Sequence, residues 1–277
     1  MTDKITVLFS YLLSKPDLKN DFTYFGKTKI KTLKFIFEQN LRKLIRESFM
    51  NKNLSHNLPN SKFIYYPIGV DMDANQLIRN PILNNQIEFI RILAKSIPVD
   101  FVLVVKEHPA QIGRYWRSIT EIKEILRIPN VIYMHHTFPQ DELYKKTSLV
   151  ITSSGSAGLE SLFFGKPSII LNETLYSVIP AVTRISDLNH LNYQIKNALK
   201  KSVNPSDVKK FLHLLNLNSV DFDLLEFGKK FQSEFMYKDL ILNTEIDHAR
   251  MDNFISEHEE LFDPLVSALV SRIDKSE

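Results

Sequence analysis

The feature that most restricts the fold is a regular alternation that begins at residue 63. Short runs rich in valine, isoleucine and aromatics at 63–67, 101–105, 131–134, 149–152 and 168–171 read as strands. Between them lie stretches of helical pattern at about 75–96, 115–126, 140–146 and 157–164. Strands regularly separated by helices are joined by right-handed crossovers, so the expected fold class is α/β, a Rossmann-like parallel sheet with helices on both faces.

The flanks carry a different pattern. Residues 27–49, KTKIKTLKFIFEQNLRKLIRESF, set Ile30, Leu33, Phe37, Leu41, Leu44 and Ile45 at helical spacing beside Lys29, Lys31, Lys34, Arg42, Lys43 and Arg46. That is a basic amphipathic helix. The Asn, Ser and Pro of 51–61 then mark a boundary. From about residue 186 the strand signal fades, and 187–200, 206–215 and 251–273 read as helices. The expected organisation is a helical segment 1–60, a Rossmann-like domain 61–185 and a helical C-terminal extension 186–277, with no internal repeat.

Composition removes several classes of function. Thirty-five basic and 32 acidic residues leave a net charge of +3, too balanced to indicate a nucleic-acid partner. The absence of cysteine excludes disulfides, Cys-ligated zinc and thiol catalysis, and fits a reducing cytoplasm. The apolar stretch 5–13 has no small-residue cleavage pattern after it, so no secretory signal is expected. No apolar run reaches the roughly 20 residues of a membrane span. A cytoplasmic location is expected, with any membrane contact peripheral.

In open parallel sheets ligands bind beyond the C-terminal ends of the strands, which singles out three segments. KEHPAQ, 106–111, puts a cation, Lys106, and an imidazole, His108, at a strand's mouth, with Pro109 stiffening the turn. Such a pair can bind a phosphate or protonate a departing phosphate oxygen; a surface loop with a histidine bonded to backbone is the alternative. VITSSGSAGLESLFFGKPSIIL, 150–171, runs a strand into Ser153, Ser154, Gly155 and Ser156 and then into a helix. Hydroxyls, unpaired N–H groups and a glycine that admits close approach make a phosphate cradle. Glu160 can accept hydrogen bonds from ribose hydroxyls. The alternative makes the serines helix caps and Glu160 a charge suited to the helix dipole. YMHHTFP, 133–139, offers His136 as a contact for a base, while Thr137 with Gln140 can form a capping box. Adjacent His135 and His136 point to opposite faces, so no metal site is expected there. Asp71 and Asp73 read as ordinary charges before a helix. No GxGxxG or P-loop sequence occurs.

KEHP after one strand and SSGSAGLESLFFGKPSIIL around another resemble the capsule polysaccharide biosynthesis family, which includes Kdo transferases, over roughly residues 60–180. The same motifs are similar to the histidine-proline and paired-serine motifs of bacterial sialyltransferases. The resemblance implies one half of a GT-B glycosyltransferase, metal-independent and without a cofactor, binding a nucleotide sugar that is often CMP-linked. It implies that His108 contacts the CMP phosphate and assists its departure, that Ser153 and Ser154 bind that phosphate, and that Glu160 binds ribose or the donor sugar. A complete enzyme of this kind also has an acceptor domain carrying the general base, and the residues before 63 are too few for a second sheet. A separate acceptor-domain subunit or a homodimer is therefore an expected partner, with a polysaccharide or glycolipid as acceptor. Two further readings stay open: a sugar-nucleotide epimerase, and a non-catalytic subunit of a capsule assembly complex whose basic helix lies on anionic lipid.

Overall fold

The computed structural model describes residues 29–69, 85–108, 111, 117–185, 187–237, 240–241 and 248–273. They form two compact units, Leu41–Asn216 and a second that joins the described residues before Leu41 to those from Leu217 on.

Helix α1 (Lys29–Asn53) leads to strand β1 (Lys62–Ile68). Then follow α2 (Gln86–Ser96), β2 (Phe101–Glu107), α3 (Ile119–Leu126), β3 (Val131–Met134), α4 (Gln140–Lys146), β4 (Leu149–Thr152), α5 (Ala157–Phe163) and β5 (Ser168–Ile170). A 3-10 turn at Leu175–Val178, β6 (Val182–Arg184), a second such turn at Leu188–His190, α6 (Leu191–Ala198) and α7 (Pro205–Leu217) complete the series. Local chemistry fixes several of these ends. Ser118 and Glu121 form a reciprocal capping box at the start of α3. Gly165, at φ 71°, lets the chain turn left-handed after α5, so that the N–H groups of Gly165 and Lys166 bond back to Leu162 and Ser161.

The strands pair in parallel in the order β3-β2-β1-β4-β5-β6. The chain winds from β1 outward to β3, then returns to the other side of β1 to begin β4. The switch point of this doubly wound sheet therefore lies between β1 and β4. Both faces are covered. Ile64, Tyr66, Leu103, Val105 and Ile151 pack beneath α2, α3 and α6, joined by Met50 and Leu54 at and just beyond the end of α1. Phe63, Tyr65, Val104 and Val150 pack against Leu143 and Tyr144 of α4 and Ala157 of α5. Leu162, Ile170, Val182, Val208 and Phe211 form a third cluster where α5 and α7 meet the β5–β6 side.

The second unit contains α8 (Leu224–Phe235), a hairpin of β7 (Met236–Tyr237) and β8 (Leu240–Ile241), α9 (His248–Glu257) and α10 (Glu259–Ile273). Phe227, Phe231 and Phe235, four residues apart on α8, meet Phe254 and Phe262 with ring centroids 4.8 to 6.4 Å apart. Edge-on and tilted rings at such distances suit aromatic quadrupoles.

The parallel sheet and its covering helices match the sequence expectation. Strand β6 was not foreseen, because Val182, Thr183 and Arg184 contain a single apolar residue and so make no apolar run. The expected boundaries at 60 and 185 also differ from the compact unit, since Met50 and Leu54 before the sheet and Leu191 and Ile195 after it are buried in its core.

Glu107 closes β2 on the α3 face. Its Oε1 accepts from Arg117 Nε at 2.7 Å and from the Tyr133 hydroxyl at 2.5 Å, all three side chains being buried. Burial and the adjacent carboxylate hold the Tyr133 hydroxyl protonated. Breaking such a pair strands a charge, so Arg117→Ala is expected to cost on the order of 3–5 kcal/mol in chemical denaturation. Replacing both partners, Glu107→Leu with Arg117→Met, is expected to recover most of that loss.

Candidate functional site

The mouth of the crevice is set by strand register. Ile68 lies opposite Glu107 on β2, and Tyr65 opposite Val150 on β4. Gly69 follows the end of β1, His108 the end of β2 and Ser153 the end of β4, so the three turns lie at the C-terminal edge of the sheet, those after β2 and β4 on either side of β1. The His108 N–H donates to the Ile68 carbonyl at 3.2 Å, tying the turn after β2 to the end of β1, and the His108 side chain is exposed. Gln86 does the same for Gly69, its amide bonding both the N–H and the carbonyl of that residue at 2.9 and 3.0 Å. Pro109, Asp71 and Asp73 lie outside the described residues.

The Ser153–Ser156 turn is braced from two directions. Thr152 Oγ1 accepts from the Gly155 N–H at 3.2 Å, and the Tyr176 hydroxyl donates to the Gly155 carbonyl at 2.5 Å. Burial raises the Tyr176 pKa to about 12, so the hydroxyl stays a donor. Gly158 is required for that approach, since a Cβ there would stand 2.7 Å from the Tyr176 hydroxyl. The Ser153 carbonyl accepts from the N–H groups of Leu171 and Asn172, anchoring the turn to the end of β5. Ser153 is buried; the Oγ of Ser154 is buried and has no partner among the described residues. Ser156 occupies the cap position of α5 without a side-chain capping bond. The helix-cap account therefore fails for Ser156.

Glu160 sits in the first turn of α5 at the end of a chain of side chains. The Tyr65 hydroxyl donates to Gln140 Oε1 at 3.2 Å, Gln140 Nε2 donates to the Tyr144 oxygen at 2.9 Å, and the Tyr144 hydroxyl donates to Glu160 Oε2 at 2.8 Å. Sequence reasoning missed the two tyrosines, which look like ordinary core aromatics, and read Gln140 as part of a capping box. Pro139 in fact occupies the cap position of α4, with no side-chain cap, and Thr137 bonds His135 instead.

Lys106 departs most from expectation. Strand alternation points it away from Glu107, toward the loop after β3, where it is 3% exposed and donates to the Phe138 carbonyl at 2.7 Å. Burial pushes its pKa down. Its ammonium supports a loop and is not displayed at the mouth. His136 lies in the same region, its pKa lowered by burial and by Lys106 and His56, against the opposing pull of Glu47 on α1.

His135 is buried and stacked between His56 and His136, with centroids 4.5 and 4.2 Å away. Its Nδ1 lies 2.7 Å from the Thr137 hydroxyl and 3.4 Å from the Thr137 backbone nitrogen. No group of three metal-ligating side chains occurs among the described residues.

The doubly wound sheet, with polar turns after β1, β2 and β4 at its C-terminal edge, defines a Rossmann-like α/β protein. Residues 26–219, more than half of the chain, match the family model described as capsule polysaccharide biosynthesis protein, and the chain belongs to that family. Protein FixF of Sinorhizobium fredii is 27% identical over 133 residues, 47% of this chain and 31% of the relative. The capsule polysaccharide export protein KpsS of Escherichia coli is 26% identical over 122 residues, 41% of this chain and 31% of the relative. The matched region thus spans about a third of each of these curated relatives. Among solved structures, KpsC of Thermosulfurimonas dismutans, titled a beta Kdo 2,7 transferase, aligns over 65% of this chain and 62% of its own at 16% identity and TM-score 0.37. The UDP-GlcNAc 2-epimerase of Methanocaldococcus jannaschii aligns over 62% and 49% at 14% identity and TM-score 0.40.

Burial, His136 and His56 lower the His135 pKa from 6.5 to about 4, so the folded state binds this proton less readily than the unfolded chain. The stabilisation from neutral His135 is complete above the unfolded value and is lost as the pH falls from 6.5 toward about 4. Urea midpoints measured across that window should fall with acidification, and the fall should be shallower in His135→Asn.

Proposed function

We propose that this chain binds the donor for a glycosyl transfer in capsular or surface polysaccharide synthesis, a nucleotide-activated sugar with CMP as its nucleotide. Membership of the capsule polysaccharide family supports the pathway. The observation that supports the donor reading is that the His108 turn and the braced Ser153–Ser156 turn follow β2 and β4, the two strands paired with either side of β1.

In this reading Ser153, Ser154 and the N–H groups at the head of α5 hold the phosphate, Gly155 lets it come close to the backbone, and Glu160 meets the ribose. His136 lies toward the base. The bond between the anomeric carbon and the phosphate oxygen breaks with its electron pair passing to oxygen, and His108 supplies the proton that oxygen takes up. The acceptor hydroxyl forms the new bond to the anomeric carbon and gives its proton to a general base in an acceptor domain. Hydrogen-bond donors aimed at the leaving phosphate supply the stabilisation, and the transfer as proposed needs neither metal nor cofactor. Calorimetry with CMP should show affinity weakened roughly tenfold or more in His108→Ala and in Ser154→Ala. Equal affinity in both variants would remove these residues from the site, and tighter binding of UMP than CMP would favour the epimerase reading.

The same reading places the chain at the inner face of the cytoplasmic membrane. No helix among the described residues is long and apolar enough to cross a bilayer. Helix α1 exposes Leu41, Leu44 and Ile45 at 48%, 63% and 53%, beside Arg42 and Lys43. That combination suits an interface with anionic lipid. Co-sedimentation with phosphatidylglycerol vesicles is expected at low salt and should weaken at high salt; no binding at low salt would dispose of this placement.

A further inference from the structure

The chain Tyr65, Gln140, Tyr144, Glu160 has a direction. Tyr65 donates to the amide oxygen of Gln140, and the amide nitrogen donates to the Tyr144 oxygen. With that oxygen already accepting, the Tyr144 proton is committed to Glu160 Oε2. Burial raises the pKa of both tyrosines, reinforced for Tyr144 by its bond to Glu160, so both remain donors at neutral pH. The four residues come from β1, α4 and α5, three elements that meet only through the fold. Among the described residues, no donor other than Tyr144 bonds this carboxylate. Half-buried Glu160 thus has one oxygen fixed from the protein side, while Tyr176 independently fixes the neighbouring Ser153–Ser156 turn through the Gly155 carbonyl. Carboxylate and phosphate turn are held by separate braces.

We propose that Tyr144 is a positioning residue that orients the Glu160 carboxylate toward a sugar hydroxyl and so makes the crevice select a ribonucleotide over its 2′-deoxy counterpart. This rests on the donor-binding reading. A carboxylate turning freely about its side-chain torsions accepts a hydroxyl from many orientations and spends entropy on each. One held by a buried phenol presents its remaining lone pairs in one direction, and a ligand lacking the hydroxyl leaves that charge unmatched. A purely structural polar network would instead change stability, or the affinity for every nucleotide equally.

The test is calorimetric titration of the full chain with CMP, UMP and their 2′-deoxy forms, for the wild type, Tyr144→Phe and Glu160→Gln. Tyr144→Phe keeps the ring packing and removes only the hydroxyl. A wild-type preference for the ribonucleotide that falls roughly tenfold in Tyr144→Phe, with deoxynucleotide affinity unchanged and a comparable fall in Glu160→Gln, is the expected result. An unchanged ribo-to-deoxy ratio in Tyr144→Phe, or an equal loss for both forms, overturns the positioning role while leaving the donor reading intact. Binding of UMP but not CMP would correct the nucleotide and leave the positioning role standing on the UMP pair. Absence of binding by any of the four would overturn the donor reading, and this inference with it.

Discussion

Everything at the crevice depends on β1 being hydrogen-bonded in parallel on both sides. A strand in that position has neither edge nor face in water, so residues 63–66 must be apolar or carry their polar atoms to partners inside the fold. Its pairing with β2 fixes the height of the His108 turn, and its pairing with β4 fixes the height of the serine turn. Two turns separated by more than 40 residues become neighbours because one strand sets the register of both. Moving either partner by one residue would reverse which face its side chains meet.

The same burial decides how the polar groups near the mouth are used. Lys106 and Glu107 are consecutive and charged, yet alternation sends them to opposite faces, and each is matched inside the protein. Glu107 closes a buried pair with Arg117, and Lys106 supports the Phe138 carbonyl. Neither charge is spent on a ligand. Nearby stand an exposed imidazole at His108, a buried hydroxyl at Ser154 with no partner among the described residues, and a carboxylate at Glu160 held from behind by Tyr144. In the donor-binding reading proposed above, these are the groups that meet the phosphate and the ribose.

Much of this was legible in the residues. The strand-and-helix alternation predicted the parallel sheet, because connection length and apolar runs are local properties. The end of α5 is local in the same way, since Gly165 takes the left-handed backbone that only a residue without Cβ adopts cheaply. Strand β6 escaped notice because Val182 is the one apolar residue in it, so it forms no apolar run. The burial of Lys106 escaped because a lysine after an apolar run looks the same in sequence whether its side chain faces solvent or a neighbouring loop.

The sequence by itself determined the order of elements, the family and the two turns that flank the crevice, since those follow from spacing and residue type along the chain. Only the tertiary structure decided which polar groups were consumed in holding the fold. Partners such as Tyr65 with Gln140, or Tyr176 with Gly155, lie 75 and 21 residues apart. No local pattern encodes a hydrogen bond across that separation; it exists because parallel crossovers bring distant segments to one end of the sheet.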